Sequence, residues 1–290
     1  MNANNAFSPT PNTLTLSGHE LIDLQVKAAQ AQGLPDFRFR DRLSNGDLAP
    51  ELVVIPAGTF EYGAAPDEAA PEQDRPRRTA VMGYNFAMGM YPITTEEFEV
   101  YARATGWQPR EELMWLSGRM PVIDVRQTDA RDYCAWLSRE TGHRYRLPSE
   151  LEWEYACRAG AATPYPNGDD LSPDEAVYNI DKDLDTKRPR TPRDLSSRMA
   201  RCGAKEVGGV RANRWGLHDV VGNVWEFTLS PWTNDHDSPP VTPQSDNPQA
   251  VVTKGGSWFD GPADCRAASR CRRLENELDI NLGFRILREL

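Results

Sequence analysis

Long apolar runs are missing from this 290-residue chain. None approaches the roughly 20 residues that a membrane-spanning helix needs. The opening stretch MNANNAFSPTPNTLTLSGHELIDLQVKAAQ has neither a basic start nor an apolar core, so no secretion signal is read from it and the expected setting is the cytoplasm. Five cysteines, Cys134, Cys157, Cys202, Cys265 and Cys271, form no CxxC pair and are odd in number, which argues against a disulfide framework. Four histidines, His19, His143, His218 and His236, form no HxxxH or HExxH arrangement and give no basis for a histidine-built zinc or iron site. His236, in NDHDSPP, is read as a solvated loop residue. Also lacking are GxxxxGKS and a strand-borne GxGxxG, so nucleotide binding has no motif behind it. Ser257 lies outside any GxSxG elbow. With a net charge of -10, nucleic acid is not expected as the main partner, because phosphate binding is dominated by basic surface.

What is present suits a soluble, loop-rich globular protein: 26% charged and 39% hydrophobic residues, with 23 Pro and 21 Gly. Residues 1–12 are polar and rich in Pro and Asn and are expected to be disordered. Ser17 and Glu20 have capping-box spacing, and Leu21, Leu24 and Ala28 follow at helical intervals, predicting a short helix up to Gly33. The β-rich run ELVVIPAGTFEYG then marks a change of character, so residues 1–45 read as an extension and 46–290 as one domain. Thr94 with Glu97 and Ser149 with Glu152 repeat the capping-box spacing. Between them, Ala130, Tyr133, Cys134 and Leu137 fall on one helical face. Cys134 and Cys157 are therefore read as small core residues. From about residue 160 turns dominate, broken by short strands such as AVVTK and the alternating GFRILREL. Between Lys187 and Arg214 nine Lys or Arg residues form a basic stretch, read as a solvated loop, with docking of an acidic peptide or phosphate as the sharper possibility.

In NRWGLHDVVGNVWEF, Asp219 and Glu226 flank a turn at Gly222 and offer the mixture of carboxylates and carbonyls that calcium prefers. An acid/base pair is the alternative, requiring burial to raise one pKa. Trp215, Trp225, Trp232 and Trp258 form either core or an aromatic ligand platform, and core is the reading adopted. In KGGSWFDGPADCRAASRC, Gly255 and Gly256 allow close backbone approach. Cys265 is either a buried thiol or a thiolate activated by Arg266 or Arg270.

Taken in order, VVIPAGTF, RLPSELEWEYACRAG, NRWGLHDVVGNVWEF, KGGSW and NLGFR resemble the motifs of the formylglycine-generating enzyme family, the sulfatase-modifying-factor domain. The resemblance implies an α+β, C-type-lectin-like fold with few helices and short antiparallel strands. It implies a structural calcium held by Asp219, the carbonyls of Gly222 and Val224, and Glu226, and a second calcium site beginning at Asn179 and Ile180. The family's enzymes bind copper(I) through two cysteines after the GGS motif and oxidise a substrate cysteine; the matching positions here are Asp260 and Cys265. A hard carboxylate in place of a soft thiolate weakens copper(I) binding, so formylglycine generation is not expected. Other branches are iron-dependent sulfoxide synthases, whose histidines come largely from an additional helical domain, and variable proteins of diversity-generating retroelements. The latter place ligand contacts between GGSW and LGFR, here Phe259 to Asp279. The expected function is thus a calcium-stabilised module that binds a peptide, protein or small molecule through Trp225, Trp258, Phe259, Asp260, Asp264, Arg266 and Arg270. The alternatives are a metal-dependent oxidoreductase using Cys265 and Ser257, with iron as its possible cofactor, and a variable binding protein.

Overall fold

The computed structural model describes residues 10–108, 117–180, 203–237 and 248–290. Four helices form where capping signals and apolar spacing coincide: α1 (Gly18–Ala31), α2 (Thr95–Thr105), α3 (Gln127–Thr141) and α4 (Glu150–Arg158). Ser17, Thr94 and Ser149 each accept from the backbone N–H three residues on, and the glutamates there return the bond. Gly106 and Gly142 stop α2 and α3 in the left-handed region, at φ 76° and 74°. At the end of α4 it is Ala159, one residue before the expected Gly160, that turns left-handed.

The strands are short, two to seven residues each. In chain order they are β1 (Arg38–Phe39), β2 (Leu52–Ile55), β3 (Gly58–Tyr62), β4 (Arg78–Met82), β5 (Phe86–Gly89) and β6 (Tyr145–Arg146). After α4 come β7 (Trp225–Pro231), β8 (Ala250–Lys254), β9 (Cys271–Leu274), β10 (Leu282–Phe284) and β11 (Leu287–Glu289). A five-stranded sheet has the order β1-β2-β5-β11-β6 and a four-stranded sheet the order β10-β7-β8-β9, with β3 and β4 forming a separate hairpin. All pairings are antiparallel except β10 with β7. The expected α+β, C-type-lectin-like architecture is the one observed.

Two large apolar clusters hold these layers together. One joins α2 and α3 to β7 and β10 through Phe98, Tyr133, Leu137, Phe227 and Phe284; the other surrounds α4 and contains Trp153, Tyr155, Cys157, Trp215 and Cys265. The extension is part of this body. Leu21 of α1 is fully buried, the Gln25 amide donates to the carbonyls of Val54 (2.9 Å) and Trp215 (3.2 Å), and β1 extends the larger sheet. The boundary expected at residue 46 therefore matches no break in packing. Pro11 and Asn12 also pair with Thr59, whereas the rest of the stretch expected to be disordered, residues 1–9, lies outside the described residues. Most of the basic stretch, residues 187–202, lies outside them as well. No helix among the described residues is long and apolar enough to cross a membrane.

Candidate functional site

The KGGSW segment leaves the end of β8 and immediately meets crowded neighbours. At Gly256 (φ 73°) a Cβ would lie 2.6 Å from Cys265 Sγ, and at Gly255 (φ 100°) one would lie 3.2 Å from the Trp153 ring. Both positions need glycine for conformation and for space. This close approach fixes Ser257, whose hydroxyl donates to Asp260 Oδ2 and meets the Asn281 amide at 3.1 Å. Trp225, at the start of β7, donates its indole N–H to the same Asp260 oxygen at 2.8 Å. Backbone bonds from Asp260 N to Ser257 O (3.0 Å) and from Asn179 N to Asp260 O (2.8 Å) complete its hold.

Asp260 and Trp225 form part of the wall of an open groove of about 460 Å³. Cys271 and Arg272 of β9 line it beside them, with Pro71 and Gln73 across the opening. β9 is the outer strand of its sheet. The bond from Glu275 N to Gln249 O sets the alternation, so Arg272 and Leu274 turn their backbone groups away from β8. Leu274 is covered, since its N–H donates to Glu277 Oε2 (2.9 Å) and its carbonyl accepts from Glu277 N (2.9 Å). The side chain of Arg272 is exposed and has no ion-pair partner among the described residues.

The remaining expected ligand contacts divide into two groups. Asp264, Arg266 and Arg270 reach the groove. The two guanidinium groups are nevertheless buried and committed: Arg266 to Glu68 (2.8 Å) and Asp74 (2.7 Å), Arg270 to Glu150 (2.6 Å) and to the Gln73 carbonyl (2.7 Å). They brace the wall instead of facing a ligand. Trp258 and Phe259 are not part of the groove lining. Trp258 is half-buried against the cluster of Ile123, Ala204 and Val224, and Phe259 is 53% exposed, edge-to-face on Trp258. The four tryptophans of the sequence reading do not gather, for Trp215, Trp225, Trp232 and Trp258 belong to four different clusters.

Cys265 is fully buried beneath the KGGSW turn, and burial, aided by the negative charges of Asp260 and Asp264, pushes its thiol well above the ordinary range. The activation expected from Arg266 or Arg270 does not occur, because both guanidinium groups are turned to other carboxylates. Cys271 is half buried and lines the groove, with burial raising its thiol too. One carboxylate and one sealed, protonated thiol do not fit copper(I). Iron finds no better set. His218 Nδ1 lies 2.9 Å from the Val210 carbonyl, and His236 is buried on Tyr62. No group of three or more His, Cys, Asp or Glu suited to a metal occurs among the described residues.

The expected calcium donors are also engaged elsewhere. Glu226 is 1% exposed; Arg285 Nη2 donates to its Oε1 at 2.9 Å, Arg285 Nε lies 3.1 Å from its Oε2, and Trp153 Nε1 donates to that oxygen at 2.7 Å. Its charge is already neutralised by a guanidinium that also donates to the carbonyls of Gly89, Met90 and His218. Asp219 accepts from Gly208 N (2.7 Å), and burial pushes its carboxyl up. Gly222 and Val224 occupy the turn as expected, yet the Asp219, Gly222, Val224 and Glu226 set does not fit calcium, since the ion would have to displace Arg285. Asn179 and Ile180 hold the position expected for the second site; Asn179 binds the backbone of Asp260, and any downstream ligands in residues 181–202 lie outside the described residues.

Sequence reasoning missed His236. Its side chain is inaccessible, stacks on Tyr62 at 4.1 Å and lies 3.7 Å from Glu150. Nothing in NDHDSPP signals this, because the burial comes from β3 and α4. Arg272 was missed as well, although the alternation in CRRL marks an outward-facing position.

Residues 40–290 match the family described as the sulfatase-modifying factor enzyme 1-like domain. The formylglycine-generating enzyme of Mus musculus is 27% identical over 290 residues, spanning 81% of this chain and 74% of its own. The inactive C-alpha-formylglycine-generating enzyme 2 of Bos taurus is 29% identical over 300 residues, spanning 84% and 89%. Among solved structures, PvdO from Pseudomonas aeruginosa superposes with a TM-score of 0.69 at 27% identity, covering 87% of this chain and 98% of its own. The chain belongs to the sulfatase-modifying factor enzyme 1-like domain family.

Proposed function

We propose that the protein is a binding module of this family, one that takes up a peptide or protein segment in the groove beside β9 and does not generate formylglycine. One observation carries the reading. Asp260 is fixed by Trp225 and Ser257 at the groove wall, where the family resemblance calls for a thiolate, while Cys265 is sealed behind it. A relative whose own name describes it as inactive supports a scaffold that outlives its chemistry. Arg272 supplies the exposed charge and a strand edge, open among the described residues, that an extended peptide uses. Calcium has no part in this proposal, because Arg285 already neutralises Glu226. The variable-protein alternative has only a shared fold behind it.

The test has two arms. A displayed library of random peptides should yield sequences that bind the purified protein and lose binding with Arg272→Glu or Asp260→Ala. A cysteine-containing peptide, supplied with copper(I) and oxygen, should remain unoxidised. Conversion of that cysteine to an aldehyde, or a library from which nothing is enriched, would overturn the reading.

A further inference from the structure

A second cleft, of about 240 Å³, lies far from the KGGSW turn in sequence and composition, between residues 40–51 and the facing sides of α2 and α3. That is many times the ~15 Å³ one water needs. Leu43, Val100 and Leu137 give it apolar walls. Three carboxylates, Glu51, Glu96 and Glu97, and two guanidinium groups, Arg40 and Arg119, border it. Neither cation closes on a carboxylate. Arg40 donates to the Ala49 carbonyl (2.6 Å), and Arg119 sits 4.8 Å over the Tyr91 ring.

Two polar groups in the cleft await partners. Glu97 uses Oε2 to accept from Thr94 N (3.0 Å) and Thr94 Oγ1 (2.9 Å), while its other oxygen has no hydrogen-bond partner among the described residues. Tyr133 is 1% exposed, its ring stacked on Phe98 at 5.5 Å, and its hydroxyl likewise lacks a partner among the described residues. Burial pushes the Glu97 carboxyl up in spite of the Thr94 donors and Arg40. That agrees with an anion short of a counter-charge.

From these observations we infer that this cleft binds a small organic ammonium ion with an apolar or aromatic body. The ammonium donates to the open oxygen of Glu97 and to the Tyr133 hydroxyl, both residues of the cleft lining. The body lies along Leu43, Val100 and Leu137. A carboxylate ligand would meet three acids against two engaged guanidinium groups, which sets the selectivity. This inference does not depend on the proposed use of the groove beside β9.

Isothermal titration of the full chain with phenethylammonium tests it, with phenylacetate and phenylethanol as controls. Saturable one-to-one binding of the ammonium is expected, weakened about tenfold or more by Glu97→Gln, severalfold by Tyr133→Phe, and unchanged by Asp260→Ala. Glutamine preserves the capping box, so α2 keeps its start. No saturable heat with the ammonium would overturn the inference. So would phenylacetate binding as tightly, or undiminished affinity in both cleft variants. Should Glu97→Gln not fold, Tyr133→Phe and the ranking of the three probes still decide.

Discussion

The stretch from Lys254 to Leu274 supplies two regions of opposite character. Beneath the groove, Lys254 lies 3.0 Å from Glu154 and donates to the Ala268 carbonyl at 3.0 Å, and Arg266 and Arg270 are buried among Glu68, Asp74 and Glu150. On the rim, Asp260, Cys271 and Arg272 face an open channel. Arginines a few residues apart thus do different jobs. A buried charge is held because removing its partner leaves an uncompensated ion, whereas a rim charge contributes little to folding and is free to serve recognition.

Substitutions should separate the two regions sharply. The largest effect is expected from Arg285→Leu, which strands Glu226 in the core; a loss of about 3–5 kcal/mol in urea denaturation is the expected outcome. A loss below one kcal/mol, on the order of a surface change, would show that the frame tolerates an open charge. Next comes acid. Burial, helped by the positive charges of Lys254 and Arg270 and opposed by Glu154, lowers His236 from 6.5 to about 3. The unfolded chain takes up this proton near pH 6.5 and the folded one does not. Stability is therefore complete above pH 6.5 and falls below it, by up to about 1.4 kcal/mol per pH unit. Glu154 adds a second loss lower down: burial raises its carboxyl, but Lys254 and Arg158 outweigh that and bring it from 4.5 to about 2. Its contribution is present above pH 4.5 and fades beneath. His236→Phe, which retains a ring against Tyr62, should flatten the profile between pH 6.5 and 4.5, as read from urea midpoints across pH. An unaltered slope would place the titration elsewhere.

Smaller still, Arg272→Glu should change stability by no more than about 0.5 kcal/mol while altering capture of peptides in the groove. Chelation of calcium should leave the melting temperature where it is; a drop would mean that an ion stabilises the folded state after all.

Local signals carried the helices. Ser17, Thr94 and Ser149 announced three helix starts correctly, because a capping box is complete within four residues. The motifs also announced the fold. What they left hidden were partnerships across the chain. Glu226 meets Arg285 59 residues away, so the eight residues from Asp219 to Glu226 gave no sign of the guanidinium that occupies one of their carboxylates. His236 depended likewise on Tyr62 and Glu150, and Cys265 on the depth of the turn that covers it. Trp215, Trp225 and Trp232 are buried as the core reading had it and Trp258 only partly, and neighbours in sequence went to different clusters.

The position of β11 bears on the order of assembly. Residues 287–289 fill the gap between β5, drawn from residues 86–89, and β6, drawn from 145–146. During synthesis the larger sheet stays divided until residue 289 clears the ribosome, with the facing edges of β5 and β6 open in the meantime. Closing it joins segments very distant along the chain, a step that raises contact order and slows folding.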